Sequence, residues 1–131
     1  MRKIKFRIWD EEEHKMERAL AVDWFFKTAI TSANPATNSH PRGVSFRDKD
    51  EILMQYTGLQ DRNGREIYEG DIVKFVSRLD DSKRIGTVRY WAGDAAFLIE
   101  CEREIFFLFH DALNREVIGN IYENPELLKD R

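Results

Sequence analysis

Gly58-Leu59-Gln60-Asp61-Arg62-Asn63-Gly64-Arg65-Glu66-Ile67-Tyr68-Glu69-Gly70-Asp71-Ile72-Val73 sets the fold class, because two turn signals interrupt short apolar runs within it. Asn63-Gly64 is the stronger signal. A type I′ hairpin turn needs positive φ at both central residues, and Asn followed by Gly tolerates that. Glu69-Gly70-Asp71 marks the second turn. The flanking runs, Ile52–Thr57 and Ile72–Val76, are strand-sized and too short for helices.

Toward the C-terminus the same rhythm continues. After the Asp80-Asp81-Ser82-Lys83 turn, Ile85–Trp91 alternates, with Val88 and Tyr90 on one face and Thr87 and Arg89 on the other; Ala92-Gly93-Asp94 then turns the chain. Ala96–Cys101 and Ile105–Phe109 add two strands, His110–Asn114 can form one helical turn, and Val117–Tyr122 is a last strand. Asn124-Pro125-Glu126 reads as the cap, first-position proline and first-turn acid of a short C-terminal helix carrying Leu127 and Leu128.

Toward the N-terminus, Lys3–Trp9 alternates: Ile4, Phe6 and Ile8 point one way, and Lys3, Lys5, Arg7 and Trp9 the other. Asp10–Lys15 is a charged, solvated turn. Ala19–Phe26 is open between strand and short helix, with Val22, Trp24, Phe25 and Phe26 tilting it to strand. Thr28–Gly43, with Pro35 and Pro41, is the longest loop, and loops of that length are functional or poorly ordered.

The whole chain of 131 residues has the length of one domain, residues 1–131, and its sixteen aromatic residues (Phe 9, Tyr 4, Trp 3) favour sheet. The expected class is mainly β. With 21 Lys plus Arg against 24 Asp plus Glu, the net charge is −3, so a general attraction to phosphate backbones is absent. The charge is uneven: residues 1–9 hold four cations and no acid, whereas residues 92–131 carry a net −5. One cysteine, Cys101, excludes an internal disulfide and points to a reducing compartment. Without a run of membrane-spanning or signal-peptide length, the sequence reads as a cytoplasmic protein with no membrane partner.

Catalytic signals are weak. His14, His40 and His110 are not spaced to share a metal, and Cys101 in an apolar alternating run reads as a core thiol, not as a nucleophile partnered by His110. Close carboxylate pairs such as Glu100 and Glu102 are expected by chance among so many acids. No catalytic set, metal site or cofactor is therefore expected.

Lys5-Phe6-Arg7-Ile8-Trp9-Asp10, Leu53-Met54-Gln55-Tyr56-Thr57-Gly58-Leu59, the Asp61–Val73 block and Val117–Leu128 resemble the YopX family of small phage- and prophage-encoded proteins. The resemblance covers essentially the whole chain and is weakest from Ala19 to Lys49. It implies a small SH3-like barrel with additional N-terminal strands and a short C-terminal helix, acting in a bacterial host cell, and it brings no biochemical activity. Small barrels of this kind carry many unrelated functions on their loops.

Two functional readings follow. The first is a non-enzymatic protein-binding or assembly module. In Glu104–Phe109 both alternate faces are apolar, Phe106 and Leu108 on one side and Ile105, Phe107 and Phe109 on the other, so one set needs a cover. That cover is the Leu127-Leu128 helix, the Trp24-Phe25-Phe26 segment, a protein partner or a second copy in a homo-oligomer. The alternative is a nucleic-acid-associated protein, with Lys5, Arg7, Trp9, Arg62, Arg65 and Arg89 as candidate contacts through charge and stacking. Its net acidity ranks it second.

Overall fold

A computed structural model of the protein describes residues 3–32 and 40–129, and it is built of strands and turns. Among the described residues eleven strands occur in chain order: β1 Phe6–Asp10, β2 Lys15–Asp23, β3 Thr28–Thr31, β4 Gly43–Ser45, β5 Leu53–Gln60, β6 Glu66–Tyr68, β7 Asp71–Ser77, β8 Lys83–Trp91, β9 Ala96–Glu100, β10 Ile105–Phe107 and β11 Ala112–Asn120. Single 3-10 turns stand at Asp50–Ile52 and Pro125–Leu128. The chain divides into two units, one ending at Gln55 and one starting at Tyr56.

In the N-terminal unit the antiparallel order is β4-β3-β2-β1-β5, and the second half of β5 continues into the C-terminal unit, where it pairs with β6. Ile8, Ala29, Val44, Phe46, Ile52 and Met54 are buried here. The first strand departs from simple alternation. Ile4 is 61% exposed, whereas Trp9 and Asp10 are buried beside Ile8, so both faces of the end of β1 are covered. The acidic turn after it is tied down. Asp10 accepts the Glu13 N–H at 3.1 Å, His14 takes φ 56°, and the guanidinium of Arg42 reaches Asp10, Glu12 and Glu13 at 3.0, 2.7 and 3.1 Å. Lys49 holds Glu11 at 2.7 Å.

The stretch expected to be one loop, residues 28–43, instead starts with β3 and ends at the first residue of β4. Ala29 pairs with Val44 and both are buried, so the strand signal rested on a small residue that composition undervalues. Residues 33–39 of that expected loop lie outside the described residues.

The C-terminal unit holds a five-stranded antiparallel sheet in the order β10-β9-β8-β7-β11. Val73, Phe75, Val88, Ile99, Phe106 and Leu108 lead its core, with the Phe75 and Phe106 rings edge to face at 5.1 Å. Cys101 packs half-buried against this core.

The sheet is open and is not a closed barrel: β10 and β11 stand at its two ends, and side chains occupy the edges that closure would pair. On β10, Asp111 accepts the Phe107 N–H (3.2 Å) through its carboxylate while donating its own N–H to the Phe107 carbonyl (3.0 Å). On β11, Asp61 accepts the Val117 N–H at 2.9 Å and the Arg62 N–H reaches the Arg115 carbonyl at 2.8 Å.

The hairpin that supplies Asp61 is a second correction. Only Gly64 has positive φ, at 82°, and Asn63 does not, so the turn is not type I′. It is a three-residue loop in which Asp61 Oδ1 takes the N–H groups of Asn63 and Arg65, both at 2.9 Å, and Gly64 sits in the left-handed position that such loops require.

The C-terminal helix reduces to the 3-10 turn. Asn124 makes no capping bond; its side chain accepts the Asn120 N–H at 3.2 Å, and no residue of the turn is fully buried.

Two stability predictions follow from these contacts. A Cβ on Gly86 would lie 2.6 Å from Ile99 Cγ2 and 2.8 Å from the Glu100 carbonyl oxygen, which is backbone and cannot swing away. Gly86→Ala should therefore cost about 1–3 kcal/mol in urea denaturation. For Asp61, burial alone would raise the carboxyl pKa, but the Val117, Arg65 and Asn63 N–H groups outweigh it and hold the pKa below the usual aspartate value. The stability this group contributes is complete above about pH 4, the unfolded value, and disappears as pH falls through the lower folded value. Asp61→Asn turns a donor toward the Val117 N–H and should cost about 1–3 kcal/mol at neutral pH, with the gap to the parent narrowing on acidification.

Candidate functional site

The β2–β3 connection carries three consecutive aromatic residues, Trp24, Phe25 and Phe26, in a turn and not in the strand expected there. Asp23 ends the strand by local capture of the backbone: its Oδ1 accepts the N–H groups of Phe25 and Phe26 at 3.0 and 3.1 Å. Lys27 then takes φ 55°, and the Thr28 hydroxyl donates to the Phe26 carbonyl at 3.3 Å. Trp24 is lodged edge-on against Phe6 (5.7 Å) and Phe46 (6.0 Å), and the Lys27 carbonyl accepts the Phe46 N–H at 2.8 Å. The turn is thus anchored from below while its rings face solvent, with Trp24 56%, Phe25 83% and Phe26 59% exposed.

Beside this tip lies a groove of about 570 Å³, walled by Ile4, Phe6, Leu20, Val22 and Trp24, with Lys5 and Arg18 as its charged members and no acid in its lining. Two other cavities are lined by charges of both signs. In one of about 470 Å³ beside Cys101, Arg84 is held by Glu104 (2.9 Å) and Asp80 (3.2 Å), and Lys74 by Glu116 (3.4 Å). In the other, of about 230 Å³, Arg42 faces Asp10 and Glu13. Among the described residues no cluster of three His, Cys, Asp or Glu is arranged to hold a metal ion, and no helix is long and apolar enough to cross a membrane.

The expected contact residues are dispersed. Lys5 lines the groove, Arg7 donates to the Met54 sulfur at 3.7 Å, and Trp9 is 4% exposed with His14 edge-on at 4.8 Å, so its ring has no face to offer a base. Arg62 and Arg65 are exposed together on the Asp61 hairpin, and Arg89 is exposed on β8 opposite Leu98. Asp23 and Asp111, which shape the two apolar surfaces, escaped sequence reasoning. Their signal is an Asx residue two to four positions from the N–H it captures, which many surface aspartates share.

A family described as YopX protein matches residues 5–129. This chain belongs to the YopX family. A crystal structure of protein EF1440 from Enterococcus faecalis is similar to this YopX-family chain along 98% of its length and 100% of its own, at 28% identity and a TM-score of 0.53. No curated protein matches it.

The YopX-family chain carries a second apolar surface in its C-terminal unit. As the alternation of Glu104–Phe109 required, Phe106 and Leu108 are buried, while Ile105, Phe107 and Phe109 remain 48%, 44% and 72% exposed. The cover expected from the same unit, the Leu127-Leu128 turn, has no fully buried residue. If a second copy covers this face, sedimentation velocity should show a concentration-dependent dimer that Phe107→Ser dissociates without changing the circular dichroism spectrum. A parent that stays monomeric at high micromolar concentration removes self-association from consideration.

Proposed function

We propose that this YopX-family chain is a non-enzymatic protein-binding module of phage or prophage origin, acting in the bacterial cytoplasm, and that the Trp24–Phe26 tip is its contact element. The observation that carries this reading is the combination of exposure with rigidity. Three adjacent aromatics stand in solvent, yet the turn bearing them is fixed by Asp23, by Trp24 on Phe6 and Phe46, and by the Lys27 carbonyl. An ordered turn loses little conformational freedom on binding, and large rings supply most of the energy of protein interfaces. Burial of Trp9 weakens the nucleic-acid alternative, because stacking was half of its argument. The uncovered Ile105-Phe107-Phe109 face suits an assembly role in which copies also meet one another.

The test is site-specific photo-crosslinking in bacterial cells from a benzoylphenylalanine at position 25, with the same group at exposed Glu102 as control. Discrete adducts from position 25, absent from position 102 and competed away by unlabelled parent, are expected. An adduct pattern identical at the two positions refutes the tip as a contact element.

A further inference from the structure

The exposed apolar face of the C-terminal sheet also carries two charges. Residues directly opposite one another in an antiparallel ladder share a face, as do alternate residues along a strand. The β8–β9 and β9–β10 registers therefore set three rows on one face: Thr87, Glu100 and Ile105, then Arg89, Leu98 and Phe107, then Trp91 and Ala96. The other face of these strands holds the core residues Val88, Ile99 and Phe106. Thr87 and Leu98 are buried within the rows, while Trp91, Ile105 and Phe107 are each close to half exposed. Arg89 and Glu100 are exposed, and among the described residues neither is in an ion pair.

Arg89 and Glu100 stand on adjacent strands one row apart, so they are diagonal neighbours on this face. A two-fold axis that lies in the plane of the face and passes midway between them exchanges their positions, so that Arg89 of each copy meets Glu100 of the other. With about 4.8 Å between strands and about 3.4 Å per residue along them, the same axis passes within about 2 Å of the positions of Leu98 and Phe107, and it brings Trp91 to within about 3 Å of register with the second copy's Ile105. The two Phe107 rings meet at the axis. One operation thus matches the charges and the apolar side chains together. The exposed parts of Arg89, Trp91, Glu100, Ile105 and Phe107 amount to on the order of 500 Å² per copy for side chains of this size. Twice that area reaches the roughly 1,000 Å² at which specific interfaces begin.

From this we infer that the β8–β9–β10 face is a self-association surface whose occupant is a second copy of the chain, set by that two-fold axis with Arg89 and Glu100 paired reciprocally across it. Burial of Phe107, Trp91 and Ile105 supplies most of the binding energy, and the two charge pairs fix the orientation. A two-fold interface has to be complementary to itself, and this face is. The inference deepens the assembly part of the proposed reading and rests on it. A nucleic acid would meet Arg89 and stack on Trp91 and Phe107, but Glu100 stands in the middle of the face, within a stretch of net −5 from residue 92 to 131, and repels phosphate.

Charge reversal tests the arrangement on the whole protein, with dimer formation followed by sedimentation equilibrium up to high micromolar concentration. Arg89→Glu and Glu100→Arg each set like charges against one another at both contacts and should raise the dissociation constant at least about tenfold. An equimolar mixture of the two variants opposes unlike charges at both contacts again, so native mass spectrometry should show a heterodimer in place of either homodimer. The double variant, Arg89→Glu with Glu100→Arg, should dimerise with itself as the parent does. Both positions are exposed, and an unchanged circular dichroism spectrum and urea midpoint are expected for every variant. A parent that stays monomeric overturns the inference. A dimer indifferent to the single reversals overturns it as well, and so does a loss that neither the mixture nor the double variant restores. The tip reading is decided separately by the adducts at position 25, so the two ideas can fail independently.

Discussion

The carboxylate of Asp61 is the interaction around which the C-terminal unit is organised. One oxygen takes the N–H groups of Asn63 and Arg65 and so shapes the hairpin, and the other takes the N–H of Val117 on β11. The residue is buried, so each of these bonds forms away from competing water, and an unpaired carboxylate there would be expensive. A single side chain thus sets a local turn and joins it to a strand 56 positions along the sequence. The adjoining Arg62 N–H bond to Arg115 extends the contact along the β11 edge, where a closing strand would otherwise lie.

Edges are handled differently in the two units. In the C-terminal unit Asp61 and Asp111 spend their carboxylates on the backbone groups of edge strands, and His110 beside Asp111 helps hold that acid ionised. Arg115 adds three bonds to the carbonyls of Leu108, Phe109 and Ala112, fixing the corner between β10 and β11. What stays exposed there is side-chain surface, chiefly Ile105, Phe107 and Phe109. In the N-terminal unit the carboxylate of Asp23 fixes a turn, and the neighbouring half of β2 keeps one edge without a ladder among the described residues. What stays exposed in the N-terminal unit is the aromatic tip, Trp24, Phe25 and Phe26.

Much of the fold was legible in the sequence because it is local. The strands of the meander, the left-handed glycine at Gly64, and the division of Glu104–Phe109 into a buried and an exposed set all follow from alternation and turn chemistry within a few residues. Three of the departures share one cause: a side-chain oxygen that captures a backbone N–H two to four positions away. Asp61 chose the hairpin type, Asp23 turned Trp24–Phe26 out of the strand, and Asn124 bonded Asn120 where a helix cap was expected.

The sequence by itself determined the mainly β class, the YopX family membership and the order of most strands, since these depend on periodicity and on motifs read in line. Only the tertiary structure decided that the sheet of the C-terminal unit stays open, that Trp9 is buried while the Trp24–Phe26 tip is not, and that the β1–β2 ladder stops at Arg7 and Arg18 among the described residues. Each of these is settled by which distant backbone group a given carboxylate or ring finds within reach. That choice depends on strand register and burial, and a one-dimensional pattern does not encode either of them.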